Sequence, residues 1–269
     1  MDTLTSADGT RIAYERVGEG PPLIVVGGAL CDRSRLRPVC AALGLRLTVL
    51  NYDRRGRGDS GEAEGHDVER EIEDLAALVA EAGGSAAVYG HSSGAALVLR
   101  AALAGLPFER VVLHDAPFSP AGERERAAAR AYDDELRALV AAGRDGDAVA
   151  LFMRLTGMPA DAVDAMRDEP WFAATTALGP SLVHDSAAMG NADRGATVPS
   201  DLIAAARTAY PTLVLVGAAN PPFFLDAARQ LAAELPDAHL QVLAGAGHVV
   251  DPEILAPAVA DFVTTGVGS

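Results

Sequence analysis

The 269-residue sequence contains no lysine, so arginine supplies all 22 of its basic side chains. This absence excludes a Schiff base on lysine, and it excludes a phosphate-binding loop of the usual Gly-Lys type. Cysteine is also scarce. The two cysteines, Cys31 and Cys40, are too few for a disulfide framework, and we expect both on one helix, with Cys40 buried.

Basic residues are outnumbered by acidic ones: 22 arginines against 37 aspartates and glutamates give a net charge of −15. This balance disfavours nucleic acid, whose phosphates attract basic surfaces, and there is no basic amphipathic segment for a membrane surface. No apolar run approaches the roughly 18 residues needed to cross a bilayer, and the start lacks the features of a secretory signal. We therefore expect a soluble cytoplasmic protein without nucleic-acid or membrane partners. The sequence makes no prediction of an oligomeric state.

Short apolar runs alternate with amphipathic helical patterns along most of the sequence. Ile72, Leu75 and Leu78 recur at helical spacing and predict a helix over 68–82. After an opening hairpin, buried strands are predicted at 23–26, 45–50, 86–89, 111–114, 212–217 and 240–243. This alternation predicts an α/β fold with a mostly parallel, doubly wound sheet that is covered by helices on both faces.

One strand-to-helix junction carries the residues Gly90-His91-Ser92-Ser93-Gly94. A sharp turn from strand to helix strains the corner residue, and the two glycines leave the room that side chains would fill. The following helix directs unpaired N–H groups towards negative charge beside Ser92. We therefore predict that Ser92 is a nucleophile; the alternative is a serine in an ordinary turn.

This junction and three further segments resemble the α/β-hydrolase family. Residues 53–60 (DRRGRGDS) look like the family's Asp-x-Arg-Gly-x-Gly-x-Ser loop, and residues 244–248 (AGAGH) are similar to its catalytic-histidine loop. Residues 25–29 (VVGGA) stand where members carry the oxyanion loop, with Gly27 in place of the usual histidine. The resemblance implies the α/β-hydrolase fold. No residue cluster has metal-ligand spacing, and no glycine run is a dinucleotide fingerprint, so we expect neither a metal nor a cofactor.

The resemblance also implies roles for individual residues. His248 would be the base that accepts the Ser92 proton, and the N–H groups of Ala29 and Ser93 would form the oxyanion hole. Gly28 would lie beside the substrate. His91, at the variable position of the motif, is expected to pack near the nucleophile or to line the pocket.

The acid is where the sequence departs from the family pattern. Most members carry an aspartate after the strand that matches 212–217, where this sequence has Asn220. Asp115, at the end of the neighbouring strand, is our candidate, and its position resembles that of the acid in zearalenone lactonase-type members. The alternative is that Asp115 caps a helix or binds backbone in a turn. Asp251 and Asp226 are further candidates for the acid.

Between residues 119 and 207 the alternation stops, and helical patterns broken by glycine and proline dominate. Family members often insert a helical cap here, so we expect a cap at 119–207 on a core formed by 1–118 and 208–269. Within the cap, Met153, Trp171 and His184 are candidates to contact substrate.

We expect a serine hydrolase that cleaves an ester or lactone bond of an apolar small molecule through an acyl-enzyme. Two alternatives remain open. The same residues could serve a cofactor-free lyase, a C–C hydrolase or a perhydrolase. Asn220 and the replaced oxyanion-loop histidine also permit a receptor-like, ligand-binding protein with vestigial hydrolysis.

Overall fold

The computed structural model of the protein describes residues 1–63, 67–206, 209–249 and 251–266. In these residues eight strands form a single sheet, with the spatial order β1-β2-β4-β3-β5-β6-β7-β8. The strands are β1 Asp2–Thr5, β2 Arg11–Val17, β3 Pro22–Val26, β4 Thr48–Tyr52, β5 Ala86–His91, β6 Phe108–His114, β7 Thr212–Gly217 and β8 Ala238–Leu243. The predicted α/β fold with a mostly parallel sheet is confirmed.

The sheet is antiparallel only at one edge. The opening hairpin pairs β1 with β2, and β2 pairs antiparallel with β4; from β4 to β8 all neighbouring strands are parallel. Because parallel strands point the same way, the carboxyl ends of β3, β5, β6 and β7 all meet at one edge of the sheet. Ligands bind at this edge in open α/β sheets.

Helices cover both faces of the sheet. They are α1 Arg33–Leu43, α2 Val68–Glu81, α3 Ser93–Leu103, α11 Pro222–Glu234 and α12 Pro252–Thr265. Side chains alternate along a strand, so Leu23 and Val25 pack on the face covered by α1 and α12, whereas Ile24 and Val26 pack towards α2, α3 and α11. This two-sided burial explains why the strands read as continuous apolar runs rather than as alternating patterns.

Between β6 and β7 the chain forms the inserted helices. They are α4 Glu123–Ala141, α5 Asp145–Leu155, α6 Ala160–Met166, α7 Pro170–Thr176, α8 Leu182–Met189, α9 Asn191–Arg194 and α10 Ser200–Ala205, with a 3-10 turn at Gly179–Ser181. The predicted cap segment is thus helical, but its division from the core stays a prediction. Its predicted end, at residues 207 and 208, lies outside the described residues.

Two local expectations were wrong. The strand predicted at 45–50 begins only at Thr48, because residues 44–47 form the turn that ends α1, with backbone N–H groups bonded to its last carbonyls. Cys31 does not lie on the helix with Cys40, because Asp32 caps that helix by accepting a hydrogen bond from the Arg35 N–H. The expected burial of Cys40 is confirmed.

Within the part of the chain that the structure describes, no helix is both long and apolar enough to cross a membrane.

Candidate active site

Ser92 occupies the corner between β5 and α3. Its backbone angles, φ 57° and ψ −126°, lie in a region that side-chain-bearing residues rarely adopt. A Cβ atom at Gly90 would lie 2.7 Å from the Ala95 Cα, and one at Gly94 would lie 2.7 Å from the Gly27 carbonyl oxygen. Only glycine fits such close approaches, so the two glycines of the motif allow the turn that presents the Ser92 hydroxyl.

His248 and Asp115 lie next to Ser92 in a line. His248 Nε2 is 3.1 Å from Ser92 Oγ, and His248 Nδ1 is 3.3 Å from Asp115 Oδ2. The other carboxylate oxygen of Asp115 accepts a hydrogen bond from the Gly217 N–H at 3.0 Å. The structure therefore brings together a hydroxyl, an imidazole and a carboxylate from loops 23 to 156 residues apart in the sequence.

The surroundings of Asp115 keep it ionised. Burial opposes the charge, but the hydrogen bond to His248, the nearby His114, the Gly217 N–H and the Asn220 amide together lower the pKa of this carboxyl below its ordinary value. Asn220 therefore stands beside the carboxylate as a neighbour. Asn220 follows β7, where most family members carry the acid, whereas the carboxylate beside His248 comes from Asp115 at the end of β6.

The other acid candidates lie in different surroundings. Asp251 accepts a hydrogen bond from the Glu253 N–H at 2.8 Å and caps α12. Asp226 forms an exposed ion pair with Arg229 on α11. Each carboxylate is thus engaged at a helix, whereas that of Asp115 lies against the His248 ring.

His91 supports the His248 loop. Its Nε2 lies 2.9 Å from the His248 carbonyl oxygen, which can only accept, so the ring carries its proton on Nε2 and donates it. The two rings stack with centroids 4.6 Å apart. Burial, together with the neighbouring His114 and His248, lowers the pKa of His91 well below its ordinary value, so the ring stays neutral. His91 therefore packs against His248, and its contact with substrate stays a prediction.

A second histidine faces Asp115, and the sequence analysis missed it. His114 Nε2 lies 3.5 Å from Asp115 Oδ2, and the Tyr89 hydroxyl lies 2.7 Å from His114 Nδ1. An N–H pointing at the carboxylate leaves Nδ1 to accept the hydroxyl proton. The signal was present in the pattern of the strands, because His91 and His114 end β5 and β6 in register with each other.

The loop after β3 lies against the nucleophile. A Cβ atom at Gly28 would be 2.8 Å from the Ser92 Cβ, so this position also requires glycine. Ala29 follows and is half-buried, and Ser93 begins α3 as a buried residue. The two backbone segments that the family uses for an oxyanion hole are therefore on either side of Ser92.

The three residues expected to contact substrate differ in their surroundings. Met153 packs against an apolar cluster that joins the inserted helices to Leu30 of the loop after β3. Trp171 is 44% exposed and contacts the edge of Phe172. The His184 side chain, on α8, is only 4% exposed, and its Nε2 lies 3.3 Å from Glu62 Oε2. The contacts with substrate remain predictions.

His91, Asp115 and His248 are residue types that can also bind a metal ion. Possible ligand atoms of His91, Asp115 and His248 lie within 4.8 Å of one another. However, the two ring nitrogens of His248 face Ser92 and Asp115, and the Nε2 of His91 is committed to a carbonyl oxygen. These partners match a proton-transfer site better than a set of metal ligands.

Comparison with known proteins agrees with this geometry. A model described as the alpha/beta hydrolase family matches residues 23–259. The chain is 30% identical over 258 residues to a 2-(acetamidomethylene)succinate hydrolase from Mesorhizobium japonicum, covering 91% of this chain and 89% of that protein. These similarities support the predicted family but not the narrower resemblance to zearalenone lactonases.

Two solved structures are also similar. An alpha/beta hydrolase from Sphaerobacter thermophilus is 41% identical and superposes with a TM-score of 0.85, covering 98% of this chain and 100% of that one. A hydrolase from Pseudomonas aeruginosa has a TM-score of 0.74 at 24% identity, covering 98% of each chain. The second of these likenesses concerns the fold alone.

Proposed function

Because the chain belongs to the alpha/beta hydrolase family, we propose that it is a serine hydrolase that cleaves an ester, lactones included, of a small apolar molecule. One observation carries the proposal: His248 lies 3.1 Å from the Ser92 hydroxyl on one side of its ring and 3.3 Å from the buried Asp115 carboxylate on the other. This is the arrangement that activates a serine nucleophile.

In the first half of the reaction, Ser92 Oγ bonds to the carbonyl carbon of the ester and its proton passes to His248 Nε2. The carbonyl oxygen becomes an oxyanion and accepts hydrogen bonds from the Ala29 and Ser93 N–H groups. The C–O bond to the alcohol then breaks, and His248 returns the proton to the leaving oxygen. Asp115 stabilises the imidazolium while it exists and keeps its Nδ1 protonated.

In the second half, water replaces the alcohol. His248 takes a proton from the water as its oxygen bonds to the acyl carbon, and the second oxyanion uses the same two N–H groups. When the Ser92 ester bond breaks, His248 gives the proton back to Ser92 Oγ, and the carboxylic acid leaves. The balance requires only water.

The surroundings of the site support an apolar substrate. The loop after β3 packs on a cluster of apolar side chains from α4, α5, α7 and α8, with Met153 at its margin. The cluster begins at Leu30, directly after Ala29, so an apolar acyl or alcohol group is the proposed substrate part, since burying its surface contributes about 25 cal/mol per Å². The placement of His248 between the Ser92 hydroxyl and the Asp115 carboxylate favours turnover over the receptor-like alternative.

A second candidate rests on the relative from Mesorhizobium japonicum, which is named for the hydrolysis of 2-(acetamidomethylene)succinate. The same residues would then act on an amide-bearing acid. A panel of p-nitrophenyl esters, lactones and N-acetylated enamine acids, followed by mass detection of products, separates the two. Turnover of only the amide class would replace the ester assignment, and a product formed without uptake of water would point to a lyase.

The nucleophile is tested with a fluorophosphonate probe. We expect wild-type protein to be labelled, Ser92→Ala to stay unlabelled, and the exposed control Ser200→Ala to be labelled like wild type. Wild type and Ser200→Ala should also hydrolyse p-nitrophenyl butyrate, and Ser92→Ala should not. Labelling that survives in Ser92→Ala would place the nucleophile elsewhere.

A further inference from the structure

Three arginines of the loop after β4 are almost completely buried. Arg54 pairs with Glu71 at 2.6 Å and Arg55 with Asp74 at 2.7 Å, while Arg57 reaches Asp185 at 2.9 Å. A charge persists in such a position only when partners surround it. Glu71 and Asp74 lie on α2, whereas Asp185, the partner of Arg57, lies on α8 among the inserted helices.

Arg57 also holds the loop that follows β3. Its guanidinium donates to the Gly28 carbonyl oxygen at 2.6 Å, and Arg54 donates to the Gly27 carbonyl oxygen at 3.2 Å. The Gly28 carbonyl and the Ala29 N–H belong to one planar peptide group. A cation fixed on the carbonyl therefore sets the direction of that N–H, and it draws electrons away from the nitrogen, which makes the N–H a stronger donor.

Asp185 also contacts Ser93, the residue that follows Ser92. One of its carboxylate oxygens accepts hydrogen bonds from the Ser93 hydroxyl at 2.6 Å, from Arg54 at 2.7 Å and from Arg57 at 2.9 Å. Burial opposes its ionisation, but Arg57 and Arg54 outweigh that effect and lower its pKa. Ser93 directly follows the nucleophile, so this carboxylate anchors the first residue of α3.

We infer that Asp185 and Arg57 are positioning residues that align the two oxyanion donors, the Ala29 and Ser93 N–H groups. The inference rests on the proposed function. Asp185 of α8 binds the Arg57 guanidinium, which donates to the Gly28 carbonyl oxygen in the loop after β3. Asp185 also accepts a hydrogen bond from the Ser93 hydroxyl at the start of α3. The oxyanion hole is therefore complete only when α8 is packed on α3.

The experiment compares transition-state binding with substrate binding. Arg57→Leu and Asp185→Asn remove the cation and the negative charge, and Ser93→Ala removes only the hydroxyl bond. The matched control is Asp74→Asn, which breaks the buried pair with Arg55 in the same loop. Each variant is assayed for kcat and KM with p-nitrophenyl butyrate, and for the Ki of an alkyl trifluoromethyl ketone, whose adduct places an oxyanion in the hole.

Removing one oxyanion donor costs about 10²–10³-fold in kcat, and misaligning it should cost roughly 10- to 100-fold. We expect that fall in kcat for Arg57→Leu and Asp185→Asn, with an equal rise in the Ki of the ketone and with KM within about threefold of wild type. Ser93→Ala should show a smaller change in the same direction. The control should lose thermal stability while keeping wild-type kcat and Ki.

The inference is overturned if the variants lose stability like the control but keep wild-type kcat and Ki, because the network would then only hold the fold. It is also overturned if KM alone rises. Should Arg57→Leu fail to fold, Asp185→Asn and Ser93→Ala decide the question. Failure of the proposed function is distinct, since it would leave Ser92→Ala active and labelled.

Discussion

Ser92 and Asp115 share an unusual backbone conformation. Both have positive φ angles, 57° and 49°, and both directly follow the carboxyl ends of neighbouring strands. A residue other than glycine pays about 1–3 kcal/mol for such a conformation, so the surrounding structure must hold it in place. In this conformation the Ser92 and Asp115 side chains lie at the carboxyl edge of the sheet, and His248 lies between them.

Single substitutions can show which side chain, Asp115 or Asn220, orients His248. Asp115→Asn should lower kcat by orders of magnitude, up to about the 10⁴-fold known for the corresponding change in a serine protease, because the amide no longer stabilises the imidazolium. Asn220→Ala should lower it less than about tenfold, since the Asn220 amide carries no charge and has the smallest of the effects that lower the pKa of Asp115. Steady-state kinetics on both variants check this, and the reverse order would make Asn220 the orienting residue.

The buried His114 predicts how stability depends on pH. Burial lowers its pKa from 6.5 to about 4, against the attraction of Asp115, so the unfolded chain binds this proton more readily than the folded one. Stability should therefore fall as pH decreases from 6.5 to 4, by about 3 kcal/mol from this group. His91, whose pKa is also lowered, acts in the same direction.

The measurement is urea unfolding of wild type and His114→Gln at pH 6.5 and at pH 4.5. The glutamine does not titrate, so the free energy of unfolding of the variant should fall by roughly 2–3 kcal/mol less than that of wild type over this interval. Equal pH dependence in the two proteins would mean that His114 is not held neutral in the folded state.

At the scale of elements, the close packing of α3 on β3 places Ser92 beside the loop that follows β3. Gly94, the second residue of α3, lies against the carbonyl oxygens of Val26 and Gly27, where backbone atoms cannot move aside as a side chain can. A helix at an ordinary distance from the strand would separate the nucleophile from Gly28. The glycine thus fixes a distance between two elements.

Gly94→Ala should destabilise the protein by about 1–3 kcal/mol, because the added methyl group forces α3 away from β3, and it should also lower kcat. The matched control is Gly146→Ala at the second position of α5, where the nearest atom to a Cβ would be 3.7 Å away. That variant should be neutral or slightly stabilised. Chemical denaturation and ester hydrolysis provide both readouts, and equal effects in the two variants would contradict the packing argument.

At the scale of the whole molecule, the inserted helices are joined to the sheet by both apolar and charged contacts. Ala188 and Met189 at the end of α8 belong to the same buried cluster as Ile24 and Val26 of the sheet. Asp185 of the same helix pairs with the buried Arg54 and Arg57. Breaking such a buried pair costs about 3–5 kcal/mol, so the two parts should not separate independently.

The single tryptophan tests this cooperativity, because Trp171 lies in α7 and reports on the inserted helices alone. In urea, the transition followed by Trp171 fluorescence should coincide with that followed by far-UV circular dichroism, as expected for a two-state protein. A fluorescence midpoint at lower urea would show that the inserted helices unfold first.

The sequence by itself determined the elements of the sheet and the place of the nucleophile. Five of the six predicted strands were found near their predicted limits, and the helix over 68–82 was found at Val68–Glu81, because apolar periodicity reflects burial directly. The Ser92 corner was predictable for a similar reason. Its requirement for glycine is local and is written in five consecutive residues.

Only the tertiary structure decided the partners at the edge of the sheet. Asp115 meets His248 because β5, β6 and β7 lie side by side, and the pairing of Tyr89 with His114 depends on the same neighbours. The inward face of α8, which buries His184 and brings Asp185 to Ser93, follows from how that helix packs on α3. These contacts join residues far apart in the sequence, so no local pattern could encode them.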